Sequence, residues 1–455
     1  VSSPEEKTVS LRRRALTFLT AEGPALDLAI FRVTVAFVLL NSTSIASAER
    51  WAALPVAART APYGVGWLLP YLPIDPSTVH GVHLFFQVAC VLGIVGLASR
   101  VAFAVIALTA SYLLLVPQLG GAVFHDHHLL WLAVIVAASP CGDALSVDAW
   151  RAKRRGAPLP SHGVAHGAAV RAGWVVIGLV FLFPGIHKLA ESGLAWALSD
   201  NLRNQMWWKW AQDPSLLPAF RVDRYPALCQ ALAALTIVFE LSFLPLVLFR
   251  RTRLFAVLAA LSFHAGAEYF MGIQFSVLWG CYTMFVPWEA LLVRLGWRMA
   301  EREASTETRS VRPLIAVLIP LLLGIVSFGA LGQMQAYPFA CYPTFEWIAA
   351  DHMPAMLVEI EHEDGTREVL DRPLFQEAGP RGWALSWRLI GVYGPFDRGA
   401  LEAFWRDAAS REPLRSALTE ARAVHFARVE ISVDPDRHGE VVSRRELSTL
   451  SPPSR

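Results

Sequence analysis

The sequence predicts an all-α polytopic membrane bundle of about nine spans, followed by a small α+β extracytoplasmic C-terminal domain. Three observations lead there. Of 455 residues, 54% are hydrophobic and 17% charged, whereas soluble proteins carry about 25% charge. The apolar residues fall in runs of about 20, the length needed to cross a bilayer as a helix. Beyond residue 350 the runs give way to short alternating segments typical of strands. The division is a cytoplasmic N-terminal segment 1–25, a transmembrane domain 26–345 and a tail domain 351–455 with a disordered end from Ser443.

In chain order the expected spans are 26–45, 82–98, 101–118, 127–140, 168–188, 227–249, 254–272, 274–292 and 312–332. Basic clusters set their direction. Arg12-Arg13-Arg14 precede the first span, Arg100 separates the second from the third, and Arg151, Lys153, Arg154 and Arg155 follow the fourth. Arg250, Arg251 and Arg253 follow the sixth, and Arg294, Arg298 and Arg302 the eighth. With nine spans all of these fall on one side, which by the positive-inside rule is cytoplasmic, leaving the tail outside. The expected location is a bacterial-type inner membrane, with the lipid bilayer as the first partner. Residues 1–24 lack the short apolar core of a cleavable signal.

A net charge of +2 offers no basis for nucleic-acid binding. Five cysteines without a CxxC pair read mostly as plain membrane-helix residues, with room for one disulfide on the outer side. Trp196, Trp207, Trp208 and Trp210 crowd the loop 189–226 and read either as a re-entrant segment or as an interfacial belt. In the tail, Ala355–Glu361 and Arg367–Leu370 around Glu363-Asp364-Gly365 read as a hairpin. Trp383–Tyr393 and Ala423–Val433 read as strands, and Gly399–Ser410 as an amphipathic helix.

Polar residues in and beside the spans are the candidates for function, because they are expensive in lipid. His125-Asp126-His127-His128 opens the fourth span. Neighbouring helix positions point different ways, so a hydrogen-bonded Asp–His pair or interface decoration suits it better than a metal site. Lys188 ends the fifth span; it either snorkels to the interface or serves as a desolvated base. His264 lies within the seventh span and needs a polar partner, structural or functional. Glu240, near the middle of the sixth, is neutral, paired or part of a proton path. Arg32, near the inner end of the first, reads as a snorkelling residue. The assigned orientation puts Lys188, His127 and His264 in the same outer half.

Three stretches carry a resemblance to a known family: His125-Asp126-His127-His128 followed by Ala138-Ser139-Pro140-Cys141-Gly142-Asp143; Phe183-Pro184-Gly185-Ile186-His187-Lys188-Leu189; and Phe263-His264-Ala265-Gly266 with Phe275. Together, over roughly residues 20–345, they resemble the HTTM (horizontally transferred transmembrane) domain, related to vitamin K-dependent gamma-carboxylase. The resemblance implies a carbon–carbon lyase in which Lys188 is the base that deprotonates reduced vitamin K, a menaquinol-type hydroquinone. Oxygenation by O2 then gives an epoxide, and the strong base released takes a proton from a peptide glutamate to which CO2 adds. It implies a supporting role for His127 and matches His264 to a family histidine. Asp126 stands where the carboxylase has asparagine, and His187 replaces the first of two lysines. A prenylated quinol would enter from lipid and a peptide or protein substrate from the outer face. The contrasting reading is a non-carboxylating scaffold, transport or export partner.

Overall fold

The computed structural model describes residues 17–452 apart from 19, 122–125, 158, 298–309, 333–335, 341–344, 371–381, 393 and 413. The expectations for Arg12–Arg14, Arg298, Arg302, His125 and Cys341 lie outside the described residues.

Among the described residues, seven helical stretches are long and apolar enough to cross a membrane. The first begins with α1 (Ala25–Leu40) and continues through short turns to Ala52. α2 (Pro76–Val95) and α3 (Ser99–Leu115) follow. After them come α4 (His127–Ala137), the polar α5 (Val147–Arg154) and the 29-residue α6 (Val164–Ser192). α7 (Asn201–Gln212) caps one end, and α8 (Pro226–Leu248) and α9 (Arg253–Met271) cross again. α10 (Ser276–Cys281) leads through a short 3-10 turn to α11 (Trp288–Arg294), and α12 (Arg312–Ala330) is the last crossing.

The structure departs from nine uniform spans at two places. α4 has eleven helical residues, about 16 Å at about 1.5 Å per residue, well short of the ~30 Å apolar core. It stops because Ser139-Pro140-Cys141-Gly142 turns the chain. α10 and α11 meet at a 66° bend, where Pro287 cannot donate a helical hydrogen bond.

Arg32 holds the α4–α5 turn. It is fully buried rather than snorkelling. Its guanidinium donates to the carbonyls of Cys141, Ala144, Leu145 and Ile94. These carbonyls belong to a turn and a helix end, where backbone acceptors lack helical partners. Asp148 completes the same end, accepting from the backbone N–H of Ala98 and Ser99 at 2.9 and 2.7 Å. Burial opposes ionisation of Asp148, but the Ser99 and Ala98 donors outweigh it and hold the carboxyl below its ordinary value.

The opposite end carries the tail domain. β1 (His352–His362) pairs with β2 (Arg367–Val369) and with β3 (Ala421–Ser432), and β3 pairs with β4 (Val441–Leu450). The antiparallel order is β2-β1-β3-β4. Val358, Ile360, Val424 and Phe426 are buried, and Trp405 of α14 (Arg398–Ala409) packs edge-on to Phe426 at 5.2 Å. The hairpin, the amphipathic helix and the strand at Ala423 appear as expected. Two assignments are corrected. Trp383–Tyr393 is mostly helical, in α13 (Gly382–Leu389), because Leu385 and Leu389 fall on one face at helical spacing. The end expected to be disordered from Ser443 is a strand as far as Leu450: β4 forms a ladder with β3, and Arg444 donates to both oxygens of Glu359 at 2.8 and 2.7 Å. Arg388 Nε donates to Thr60 Oγ1 at 2.7 Å and ties the tail domain to the bundle.

Replacing Arg32 with Met strands several buried carbonyls at once, each worth about 1–3 kcal/mol. Arg32→Met is expected to lower the Tm of the detergent-solubilised protein well below the parent's, with Arg32→Lys between them. A Tm unchanged in Arg32→Met would contradict this role.

Candidate functional site

The site begins with a close approach of α6 and α8. A Cβ built on Gly185 would lie 3.0 Å from Glu240 Cβ and 3.1 Å from a Leu241 methyl. Glycine there lets the helices touch, and small residues serve this purpose widely in membrane bundles. One turn on, Lys188 Nζ donates to both oxygens of Glu240, at 2.8 and 3.0 Å. Lys188 is 3% exposed and Glu240 6%. Lys188 therefore does not snorkel: its ammonium points into the bundle, 5.3 Å from the ring centre of Trp196, within cation–π range.

Adjacent α6 residues face different partners. His187 donates from Nε2 to the Gly329 carbonyl of α12 at 2.7 Å. Phe181, two turns earlier on α6, contacts Phe239 and Phe243 of α8 and His264 of α9. His264 is buried and shares a 2.5 Å hydrogen bond with the Tyr282 hydroxyl. Its ring lies 4.3 Å from Phe275 and 5.5 Å from Phe263. The polar partner expected for His264 is thus a tyrosine supplied by the bent α10–α11 segment.

Asp126 and His127 occupy the mouth of α4. Asp126 accepts from Ser42 Oγ at 2.9 Å, and buried His127 meets Tyr337 edge-on at 5.1 Å. Asp126 is also within electrostatic range of Cys281, the residue before Tyr282. Lys188 lies in the last turns of α6 and His127 opens α4, while His264 sits about midway along α9. The shared helices α6 and α8 join the Lys188–Glu240 pair to the His264–Tyr282 pair through aromatic rings. His127 sits on the α12 side of α6 with Tyr337. Among the described residues, no three His, Cys, Asp or Glu side chains gather as metal ligands. Cys90, Cys141, Cys229 and Cys281 are free and buried. Two surface hollows of about 380 and 390 Å³ lie elsewhere, one against β4 at His425 and one at the basic end beside Arg100 and Asp148.

The model of the HTTM domain matches residues 23–289. The chain belongs to the HTTM domain family. The match covers α1 to the start of α11 and so includes every residue of both buried pairs, together with Asp126 and His127; α12 and the tail domain lie beyond it. No curated protein and no solved structure matches the chain.

Sequence reasoning left Glu240 with several roles and did not register Tyr282 or Ser42. A mid-span carboxylate and a lysine at the end of the neighbouring span were the available signal for the pair. Tyr282, inside an aromatic-rich apolar run, gave none. The tryptophans of loop 189–226 form a cap: Trp208 donates to Ala350 O and Trp210 to Phe270 O, both at 2.8 Å, and Trp207 to Asp223 at 3.0 Å.

Removing one member of a buried ion pair leaves an uncompensated charge, at about 3–5 kcal/mol. Glu240→Leu and Lys188→Met are each expected to lower Tm markedly, and the double substitution Lys188→Met/Glu240→Leu to recover much of the loss. Thermal melts of all four proteins check this; strict additivity would contradict a direct pair.

Proposed function

We propose that this HTTM-family protein is a membrane-embedded hydroquinone oxygenase of the vitamin K-dependent gamma-carboxylase type, with Lys188 as its base. The observation that carries the reading is the Lys188–Glu240 pair, an amine buried in the bundle beside one acceptor at 2.8 Å. Moving a proton from Nζ to Oε1 turns an ion pair into a neutral amine and a neutral acid. Neither state has net charge, so low dielectric does not forbid the exchange. Lys188 can thereby present a free amine to a hydroxyl of the substrate, and the apolar surroundings protect that amine from water.

The surroundings suit the substrate. Phe181, Phe263 and Phe275 around His264 make an aromatic site for a planar ring, and Phe263 is only partly buried, consistent with entry of a prenyl tail from lipid. The hydroquinone, when bound, supplies the oxygen chemistry with O2 and CO2 as co-substrates. The chain's residues hold and move protons: Glu240 keeps the proton it received from Nζ, Lys188 takes the hydroxyl proton, and His264 with Tyr282 orients polar groups near the ring. Asp126 and His127 line the neighbouring wall. Transfer of CO2 to a peptide glutamate would occur at the tail-domain end, which the clustering of Arg100, Arg151, Arg154, Arg250 and Arg251 at the other end supports as extracytoplasmic.

Lys188→Arg is the informative substitution. It keeps the charge beside Glu240, but guanidinium does not deprotonate in proteins. Epoxide formation from menaquinol-type hydroquinones is expected in the parent and absent in both Lys188→Arg and Lys188→Ala, with elution profile and Tm preserved in Lys188→Arg. Equal activity in the parent and Lys188→Arg, or no activity in the parent with any hydroquinone, would overturn the proposal. For orientation, alkaline phosphatase fused after Pro452 is expected to be active and fused after Arg155 inactive; the opposite pattern reverses the assignment.

A further inference from the structure

Above Lys188 lies a strap, Phe345–Ala350, held by its backbone at nearly every residue. Trp196 Nε1 donates to the Phe345 carbonyl and Ser192 Oγ to the Glu346 carbonyl. Asn204 and Trp208 of α7 donate to the carbonyls of Ala349 and Ala350, and Ala349 N donates to Asn201 Oδ1. Trp196, which fixes the start of the strap, is the same ring that lies 5.3 Å from Lys188 Nζ. The strap therefore holds the Glu346 backbone next to the ring that covers Lys188.

Glu346 differs from its neighbours in one respect. Its backbone is pinned, but its Oε2 is buried and, among the described residues, has no hydrogen-bond partner. Buried carboxylate oxygens are normally satisfied, and an exception calls for an explanation. Lys188 and Glu191 of α6 both lie within electrostatic range of Glu346. Glu191 is exposed. On the other side Lys209 of α7 lies over the Phe345 ring at 5.7 Å. The acidic and basic groups thus run from Glu240 and Lys188 in the interior, through Glu346, to Glu191 at the surface.

We propose that Glu346 is the proton exit of the site, taking the proton that Lys188 has acquired and passing it to water at the tail-domain end. Oε2 lies beyond hydrogen-bond reach of Nζ, so the step runs through one water: a Lys188 Nζ–H bond breaks, the water gains that proton and gives up another, and a Glu346 Oε2–H bond forms, so ammonium and carboxylate become amine and acid. The acid then loses the proton to water beside Glu191 and returns to carboxylate, with no change of oxidation state. Burial pushes the Glu346 carboxyl up from its ordinary value while Lys188 opposes that rise, which suits a group that must both accept and release a proton. Glu346 touches no substrate in this scheme; it is a positioning and relay residue, and the inference rests on the reading of Lys188 as the base.

Glu346→Gln removes the proton acceptor and leaves the backbone bonds of the strap in place. With a hydroquinone substrate, it is expected to lower kcat at least tenfold with KM unchanged, Glu346→Asp to retain most of the rate, and added formate to restore part of it in Glu346→Gln. Unchanged kcat and pH profile in Glu346→Gln, or equal loss in Glu346→Asp without formate rescue, would overturn the relay. A second readout needs no turnover. Infrared titration of the purified full chain should show a carboxylic C=O band that is missing in Glu346→Gln. Its midpoint should rise by at least one pH unit in Lys188→Met and fall in Glu240→Gln. If the parent is inert with every hydroquinone, the oxygenase reading fails while this titration still decides the coupling; absence of the band, or a midpoint that stays put in whichever of the two variants folds, would overturn it.

Discussion

An ammonium group held in the apolar interior of a bundle needs a counter-charge, and in this protein Glu240 supplies it to Lys188. Much of the surrounding structure follows from that requirement. α6 and α8 must approach closely enough for a bidentate contact, so Gly185 faces Glu240 and Gly178 faces Leu244. Trp196 must close the site above the ammonium, so the loop after α6 folds back as a cap. The pair is costly to desolvate, and hydrophobic residues of similar volume would pack there at less cost. A pair retained in such a place is most simply understood through what its proton can do.

The second buried pair, His264 with Tyr282, depends on a different device. Tyr282 lies in a 3-10 turn just before the Pro287 break. A straight helix would carry the following segment on through the bundle. The 66° bend instead lets a short α10 pack against α1 while its hydroxyl-bearing turn reaches α9. Broken helices in membrane proteins are tolerated where other protein groups satisfy the freed backbone. Here Trp288 Nε1 donates to the Thr283 carbonyl and Thr34 shares a hydrogen bond with Thr283.

Helix existence was legible because burial in lipid demands long apolar runs, and seven of the expected spans contain helices that meet the length. The two irregular spans were not. α4 is as apolar as its neighbours, and its early end depends on Arg32, more than a hundred residues away, bonding to the turn at Cys141–Leu145. In the tail, β4 was unreadable because Val441–Leu450 has charged residues on both faces and becomes a strand through pairing with β3.

By itself the sequence determined the membrane character, the basic and tail-bearing ends, and the few titratable residues that lipid makes expensive. Each follows from local composition, since transfer to an apolar medium is a property of single residues and short runs. Only the tertiary structure decided which of those residues meet. Lys188 could have snorkelled, and Glu240 could have stood alone; a glycine one turn away and the packing of two antiparallel helices brought them to 2.8 Å. The chemistry depends on that distance, which arises from contacts between segments about fifty residues apart.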